Sequence, residues 1–177
     1  MNVLALQPYD ADSHRAFLRG WTRRSRHAWH VLALPGHHWK WRMRHAAWTF
    51  ARQCEQVPPP FDRPDAVFCT DMMDVAAFRG LAPRAIASAP TIAYFHENQL
   101  AYPDPAAGER DVHFGLTNLL SAAGADAAWF NSAFGRDSLL TAGRELIAAM
   151  PDRSAADLPE RIAAIADPRL IKLVYKE

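Results

Sequence analysis

Short apolar runs alternate along this chain with longer stretches in which apolar residues recur every three or four positions. The short runs are typical of strands buried in a sheet, and the longer stretches are typical of helices with one apolar face. Ser13, Asp74 and Ser132 are candidate helix N-caps, and Pro58-Pro59-Pro60 and Pro64 break the chain before the third strand. The predicted strands are 3–6, 29–34, 66–69, 91–95, 127–130 and 170–175, and the predicted helices are 13–24, 42–53, 74–80, 110–123, 132–149 and 158–166.

The alternation of strands and helices predicts an α/β fold. Repeated strand–helix–strand units favour an open parallel sheet with helices on both faces, because right-handed crossovers lay the helices against the sheet. Ligands of such sheets bind outside the carboxyl ends of the strands. The polar residues at these ends would form a rim suited to a hydroxylated ligand such as a carbohydrate: Gln7-Pro8-Tyr9, Pro35-Gly36-His37-His38, Thr70-Asp71, His96-Glu97-Asn98-Gln99 and Asn131-Ser132.

The stretch His96-Glu97-Asn98-Gln99 follows the apolar run of the fourth predicted strand without a spacer. All four side chains form hydrogen bonds, and His96 and Glu97 also exchange protons. The pattern alone fits either a solvated loop or a functional site.

Composition narrows the class of protein. The chain has 177 residues, half of them apolar, which is enough for one domain with a substantial core. Its two cysteines, Cys54 and Cys69, are too few for a disulfide framework or a zinc site. No segment approaches the ~20 apolar residues of a membrane span, and no signal-peptide pattern follows Met1. The sequence therefore predicts a soluble cytoplasmic protein without a metal site or contact with a membrane.

The net charge of +1 conceals an asymmetry along the chain. Residues 1–52 hold nine Lys and Arg against two Asp and Glu, together with six of the eight histidines and five of the six tryptophans. Cations interleaved with aromatic rings suit a polyanion that also presents bases or sugars. The helical spacing of Trp41, His45 and Trp48 fits equally well a stripe of residues facing the core.

The sequence lacks the motifs of several common classes of enzyme. The sequence has neither the G-x-G-x-x-G dinucleotide fingerprint after its first strand nor a P-loop. His96-Glu97 begins like the zinc-protease motif H-E-x-x-H, but Leu100 occupies the position of the second histidine. No G-x-S-x-G elbow surrounds Cys69 or Ser132, so nucleophilic catalysis by either is disfavoured.

Five stretches of the chain carry a family resemblance. They are "PYDADSHRAFLRG", "LPGHHWKWRMRHAA", "YFHENQLAYP", "ERDVHFGLTNLLSA" and "WFNSAFGRDSLL", the last followed by "MPD". In this order, over nearly the whole chain, they resemble the amino-terminal half of the tRNA-queuosine α-mannosyltransferases, which are GT-B-type glycosyltransferases. The pairing of Trp-Lys-Trp-Arg with His-Glu-Asn-Gln makes the resemblance specific.

The resemblance implies a fold and a reaction. GT-B enzymes have two Rossmann-like domains; the amino-terminal one mainly holds the acceptor and the carboxy-terminal one mainly holds the nucleotide sugar. Residues 1–177 are then expected to form a single Rossmann-like acceptor-side domain, without the carboxy-terminal donor-binding domain and inactive alone. In the family, mannose passes from GDP-mannose to the cyclopentenediol of queuosine in the anticodon loop of an aspartate tRNA. Retaining enzymes of this class generally need no metal, and no cofactor is expected.

The resemblance also suggests roles for individual residues. His96 is the expected centre of the site, as a neutral hydrogen-bonding group near the transferred sugar, although a loop histidine satisfied by backbone groups would look the same. Glu97 is either a general base or a residue that fixes the conformation of the loop. Ser132 is equally explained as a helix N-cap. The candidate catalytic residues are His96 and Glu97; the substrate-binding candidates are Ser13, His14, Asp71, Asn98, Gln99, Asn131 and Ser132; the RNA-binding candidates are Trp39, Lys40, Trp41, Arg42 and Arg44.

The first loop departs from the family pattern. Related loops usually carry glycines, whereas this chain has Asp10-Ala11-Asp12, whose carboxylates would repel a phosphate. The loop is therefore expected to contact sugar hydroxyls or to be displaced. Two other functions stay open: a GT-B half acting on a lipid or small-molecule acceptor, and a non-enzymatic RNA-binding domain.

Overall fold

The computed structural model describes residues 1–101, 112–151 and 155–166, and within these ranges five strands alternate with seven helices. The strands are β1 (Asn2–Asp10), β2 (Ala28–Pro35), β3 (Ala66–Thr70), β4 (Thr91–Phe95) and β5 (Ala127–Phe130). The helices are α1 (Asp12–Arg24), α2 (Trp39–Cys54), α3 (Val75–Leu81), α4 (Arg84–Ala87), α5 (Val112–Gly124), α6 (Ala133–Ala148) and α7 (Leu158–Ile165).

The strands form one parallel sheet in the order β2-β1-β3-β4-β5. The chain leaves β1 for β2 on one side and then returns past β1 to β3, so the strand order reverses between β1 and β3. Ligands of open α/β sheets bind at the carboxyl ends of the strands beside such a reversal. The predicted Rossmann-like open parallel sheet is confirmed.

Each face of the sheet has its own core. Leu4 and Leu6 of β1 belong to a large core with residues of α2, α3, α5, α6 and α7, whereas Val3 and Ala5 point to the other face and pack with residues of α1. The alternation follows from the two-residue period of a strand. Both faces are therefore covered by helices, as a sheet of buried parallel strands requires.

Local sequence explains where two helices begin. The Asp74 carboxylate accepts a hydrogen bond from the Ala77 N–H at 2.8 Å, and the Ser132 hydroxyl accepts one from the Gly135 N–H at 3.0 Å. These two predicted N-caps are confirmed. The prediction for Ser13 was wrong: Ala11 occupies the N-cap position without a side-chain bond, because the helix already begins at Asp12.

The structure also differs from the predicted elements at α2 and α4. Helix α2 begins at Trp39, not Arg42, directly after His38, whose backbone adopts a left-handed conformation (φ 54°). The short helix α4 was not predicted, since four residues are too few to show a helical period. The predicted strand at 170–175 lies outside the described residues. In the described ranges no helix is both long and apolar enough to cross a bilayer.

Candidate functional site

A cavity of about 220 Å³ lies at the carboxyl edge of the sheet, beside the point where the strand order reverses. Its walls come from the ends of β1 and β3, the start of α1, the start of α2 and the loop after β4. The lining residues are Tyr9, Ala11, Asp12, Ser13, His14, Trp39, Met72, Glu97 and Gln99. Two of the five polar strand ends noted in the sequence therefore contribute to the lining, Gln7-Pro8-Tyr9 through Tyr9 and His96-Glu97-Asn98-Gln99 through Glu97 and Gln99.

The loop after β4 is held by two buried side chains. Asp71, which follows β3, accepts a hydrogen bond from the Glu97 N–H through Oδ2 at 3.0 Å. Asn118 of α5 accepts one from the Gln99 N–H at 2.8 Å and donates one to the Asp71 carbonyl at 3.2 Å. Asp71 and Asn118 are 3% and 1% exposed, so these bonds lie away from competing water. The loop is thereby fixed with Glu97 and Gln99 along the cavity.

Two further asparagines hold the ends of the same loop. The Asn98 side chain donates a hydrogen bond to the Ser138 hydroxyl at 3.0 Å and accepts one from the Ala101 N–H at 2.9 Å. The Asn131 side chain donates a hydrogen bond to the His96 carbonyl. Both side chains thus bond within the fold, and neither lines the cavity.

His14, which lines the cavity, packs against His96, which lies behind it. Their ring centroids are 4.0 Å apart, and the His96 ring also contacts the rings of Phe17 and Tyr94 at 5.0 and 4.8 Å. Burial lowers the pKa of His14 to about 4, and burial together with the neighbouring His14 lowers the pKa of His96 to about 3. Both imidazoles are therefore neutral at physiological pH and serve as hydrogen-bonding groups.

Burial shifts the pKa values of the carboxyl groups of the site upward, opposite to its effect on the two histidines. Burial raises the pKa of Asp71 to about 8, with the Glu97 N–H bond acting against the shift. Burial also raises the pKa of Glu97, and its hydrogen bond with Gln99 opposes this. Within residues 1–101, 112–151 and 155–166, no group of three or more His, Cys, Asp and Glu side chains is arranged to hold a metal ion.

Several buried polar atoms at this edge lack a hydrogen-bond partner among the described residues. They include His14 Nδ1, His96 Nε2, Asp71 Oδ1 and Gln7 Nε2. Buried polar atoms of folded proteins are usually paired, and an unpaired one costs about 1–3 kcal/mol. Of these four residues only His14 lines the cavity, so its Nδ1 is the unpaired buried atom that a ligand in the cavity would reach.

The structure divides the predicted site residues into two groups. Ser13, His14, Glu97, Gln99 and Trp39 line the cavity. The others do not line it: His96 packs against His14, and Asp71, Asn98, Asn131 and Ser132 bond to backbone or side chains of the fold.

Helix α2 presents most of the predicted RNA-binding residues to solvent. Trp41 and Trp48 are 69% and 59% exposed, so the alternative of a stripe facing the core was wrong. Arg44 lies over the Phe114 ring at 4.6 Å, and Arg42 donates a hydrogen bond to the Pro35 carbonyl at 3.1 Å. Trp39 instead turns inward, contacts Phe114 at 5.2 Å and lines the cavity. The helix thus joins the cavity to an exposed basic and aromatic surface.

Five residues of the site were not among the sequence candidates. Tyr9, Ala11, Asp12 and Met72 line the cavity, and Asn118 holds the loop after β4 through the Gln99 N–H. Tyr9 stands in the polar strand end Gln7-Pro8-Tyr9, which was noted only as part of the rim. Asn118 was not among the candidates, since nothing in a helical sequence shows which loop an amide will reach.

Two comparisons with known proteins give matches. A family model described as "tRNA-queuosine alpha-mannosyltransferase N-terminal" matches residues 2–167. A curated tRNA-queuosine alpha-mannosyltransferase of Drosophila melanogaster is 30% identical over 162 residues, which are 91% of this chain and 42% of that protein. The chain thus spans less than half the length of this relative. No solved structure gives a significant match. The chain belongs to the family of tRNA-queuosine alpha-mannosyltransferase N-terminal domains.

Proposed function

We propose that this chain is the acceptor-binding part of a retaining, GT-B-type glycosyltransferase that transfers mannose from GDP-mannose to queuosine in tRNA. The observation that carries the proposal is a cavity lined by hydrogen-bonding groups at the carboxyl edge of the sheet, continuous with the exposed face of α2. Family membership over residues 2–167 supports the same acceptor.

The size of the cavity suits a small part of a nucleoside. Sites for whole drug-sized ligands usually measure about 300–1,000 Å³, and this one measures about 220 Å³. A hydroxylated five-membered ring fits that volume better than a complete nucleoside does. In the proposed complex the cyclopentenediol of queuosine enters the cavity while its base and ribose stay outside.

The exposed face of α2 provides the proposed contact with RNA. Trp41 and Trp48 are seven residues apart, about 10 Å along a helix, and Arg44 lies between them. RNA is recognised in unpaired loops, whose bases stack on aromatic or guanidinium planes. Trp39, at the start of the same helix, lies at the cavity. An anticodon loop lying along α2 would therefore present one modified base at the cavity.

The residues of the cavity have different proposed roles. Glu97, whose side chain lines the cavity, is placed to accept a proton or a hydrogen bond from an acceptor hydroxyl. His14 bonds a hydroxyl directly as a neutral imidazole, and His96 acts through its ring contact with His14. GDP-mannose and the groups that bind it are assigned to sequence outside this chain, so the isolated chain is expected to bind acceptor but not to transfer sugar.

The proposal is tested by titrating the purified chain with one tRNA carrying either queuosine or unmodified guanosine, at two salt concentrations. Preference for the queuosine form at both concentrations is the expected result, with overall affinity that falls as salt rises because phosphate contacts release counterions. Equal, salt-sensitive binding of both tRNAs would indicate a general RNA-binding domain. Failure to bind either tRNA would favour a lipid or small-molecule acceptor.

A further inference from the structure

The charges that line the cavity are opposite in sign to those of the surface beside it. Its nine lining residues include the carboxylates Asp12 and Glu97 and no Lys or Arg. Residues 1–52, which supply most of the lining, carry nine Lys and Arg against two Asp and Glu. The cavity is therefore an acidic pocket beside a strongly basic surface.

The described structure does not neutralise these two carboxylates. Asp10, the other acid of the first loop, pairs with Arg15 at 3.1 Å, whereas no Lys or Arg of the described residues forms a salt bridge with Asp12 or Glu97. Two basic side chains of α2 contact aromatic rings: the Lys40 ammonium lies 5.5 Å from the centre of Trp39, and Arg44 lies over Phe114. Neither basic residue lines the cavity. A phosphate would be repelled there, and a cation would be attracted.

A buried group of the wall adds a preference for hydroxyls. His14 lines the cavity, is only 6% exposed and has an Nδ1 atom without a hydrogen-bond partner in the described region. The Ser13 hydroxyl and the Gln99 amide line the same space. A ligand that offers hydroxyl groups next to a positive charge would satisfy all of these groups together.

We infer that the cavity binds a protonated secondary amine together with neighbouring hydroxyls, with Glu97 and Asp12 as the counter-charges and His14 as a hydroxyl partner. The inference rests on the proposed function, because queuosine carries its cyclopentenediol on a secondary amine that is protonated near neutral pH. Glu97, which is half-buried, is expected to contribute more than the exposed Asp12, since water screens the charge of an exposed carboxylate. The amine would then distinguish queuosine from any neutral nucleoside.

The test uses three nucleosides that differ only at this nitrogen. Queuosine and its N-methyl derivative both carry a positive charge, and the N-acetyl derivative, with a substituent of similar size, is neutral. Calorimetric titration of the full chain should give similar affinities for the first two and about tenfold weaker binding of the third, the value of one hydrogen bond to a charged group. Equal binding of the N-methyl and N-acetyl forms, or binding of none of the three, would overturn the inference.

Variants identify the groups responsible. Glu97→Gln should weaken binding of queuosine and its N-methyl derivative about tenfold and leave the N-acetyl form unchanged. Asp12→Asn should act in the same direction with a smaller effect. Glu55→Gln is the matched control, because Glu55 pairs with Arg52 at the far end of α2 and should change nothing. If Glu97→Gln and the unchanged chain prefer the charged nucleosides over the N-acetyl form to the same extent, Glu97 is not the counter-charge. If Glu97→Gln fails to fold, the same comparison with Asp12→Asn tests whether the carboxylates of the cavity recognise the amine.

The test also separates this inference from the proposed function. Should the chain prefer queuosine tRNA while the N-methyl and N-acetyl nucleosides bind equally, recognition of the amine is wrong and the acceptor assignment stands. Should it bind both tRNAs equally, the acceptor assignment itself is wrong.

Discussion

The Glu97 N–H donates a hydrogen bond to Asp71 Oδ2 at 3.0 Å, which ties the loop after β4 to the residue that follows β3. Asn118 joins the same two segments through Gln99 and the Asp71 carbonyl. The cavity wall formed by Glu97 and Gln99 is therefore fixed by buried bonds and does not depend on contact with solvent. The geometry of this cavity wall should therefore change when Asp71 ionises.

The first prediction concerns Asp71. Its pKa is about 8 in the folded chain and about 3.8 in an unfolded one. Between these values the folded state binds more protons than the unfolded state, so stability falls as pH rises. From pH 6.5 to pH 8 the loss due to Asp71 should be about 2 kcal/mol. Urea unfolding across this range should show the decline, and Asp71→Asn should remove most of it.

Asp137→Asn is the control for this measurement, since its side chain is 61% exposed and pairs with its neighbour Arg136. It should leave the pH dependence as in the unchanged chain. A decline that persists unaltered in Asp71→Asn would show that another group titrates there.

The second prediction concerns the buried His14 and the partly buried His96. An unfolded histidine titrates near 6.5, whereas the pKa of His14 is about 4 and that of His96 is about 3 in the folded chain. The unfolded state therefore binds more protons below pH 6.5, and the stability present above that pH is lost as pH falls. Below pH 6.5 the unfolding free energy falls with pH, a decline that we call the acid limb. In His96→Gln the acid limb should be shallower by about 1.4 kcal/mol per pH unit. Unfolding free energies below pH 6.5 provide the check.

The exposed His37 serves as the comparison for His96. His37→Gln is expected to leave the acid limb unchanged. Equal slopes for His96→Gln and the unchanged chain would mean that the imidazole of His96 is not held neutral by burial.

The third prediction uses a close approach of two loops. A Cβ on Gly36 would collide with the Ala11 side chain and lie 2.9 Å from the Ala11 N. Ala11 precedes Asp12, Ser13 and His14 of the cavity wall, so Gly36→Ala should displace that wall and weaken binding of queuosine tRNA. Gly80→Ala is the matched control, because a Cβ there meets nothing within 4 Å and alanine favours the helix. Similar affinities of the two variants would show that the position of the first loop does not matter for binding.

The fourth prediction concerns the exposed tryptophans of α2. Trp41→Ala and Trp48→Ala should each weaken tRNA binding by about 1–3 kcal/mol, the usual value of a base stacked on an aromatic ring. Because both side chains are mostly exposed, stability should change by less than about 0.5 kcal/mol. Phe134→Ala on α6, where the ring is 80% exposed, should leave tRNA affinity unchanged. Equal losses from all three variants would indicate nonspecific contacts.

The sequence predicted most of the sheet because its signals are local. Each described strand is an apolar run bounded by polar or proline residues, and the parallel order follows from the alternation with helices. The start of α1 was misplaced, because Asp12 adopts a left-handed backbone conformation (φ 45°) that favours glycine and is not visible in a pattern.

The candidate site was only partly predictable. His14, Glu97 and Gln99 were placed at the correct edge of the sheet, since residues that follow parallel strands meet there. Which of them face the cavity depends on side-chain packing: His96 turns against His14 and Tyr94, and its neighbour Glu97 lines the cavity. The role of Asn118 depends on a contact between segments 19 residues apart in the chain, which periodicity does not reveal.

NMR of the histidine ring protons tests whether queuosine enters the cavity beside His14. An anticodon stem–loop carrying queuosine is added to the chain, and the same RNA carrying guanosine serves as the comparison. The signals of His14 and His96 should move only with the queuosine RNA, whereas the Trp41 indole signal should move with both RNAs. Movement of the histidine signals with both RNAs alike, or with neither, would contradict binding of queuosine in the cavity.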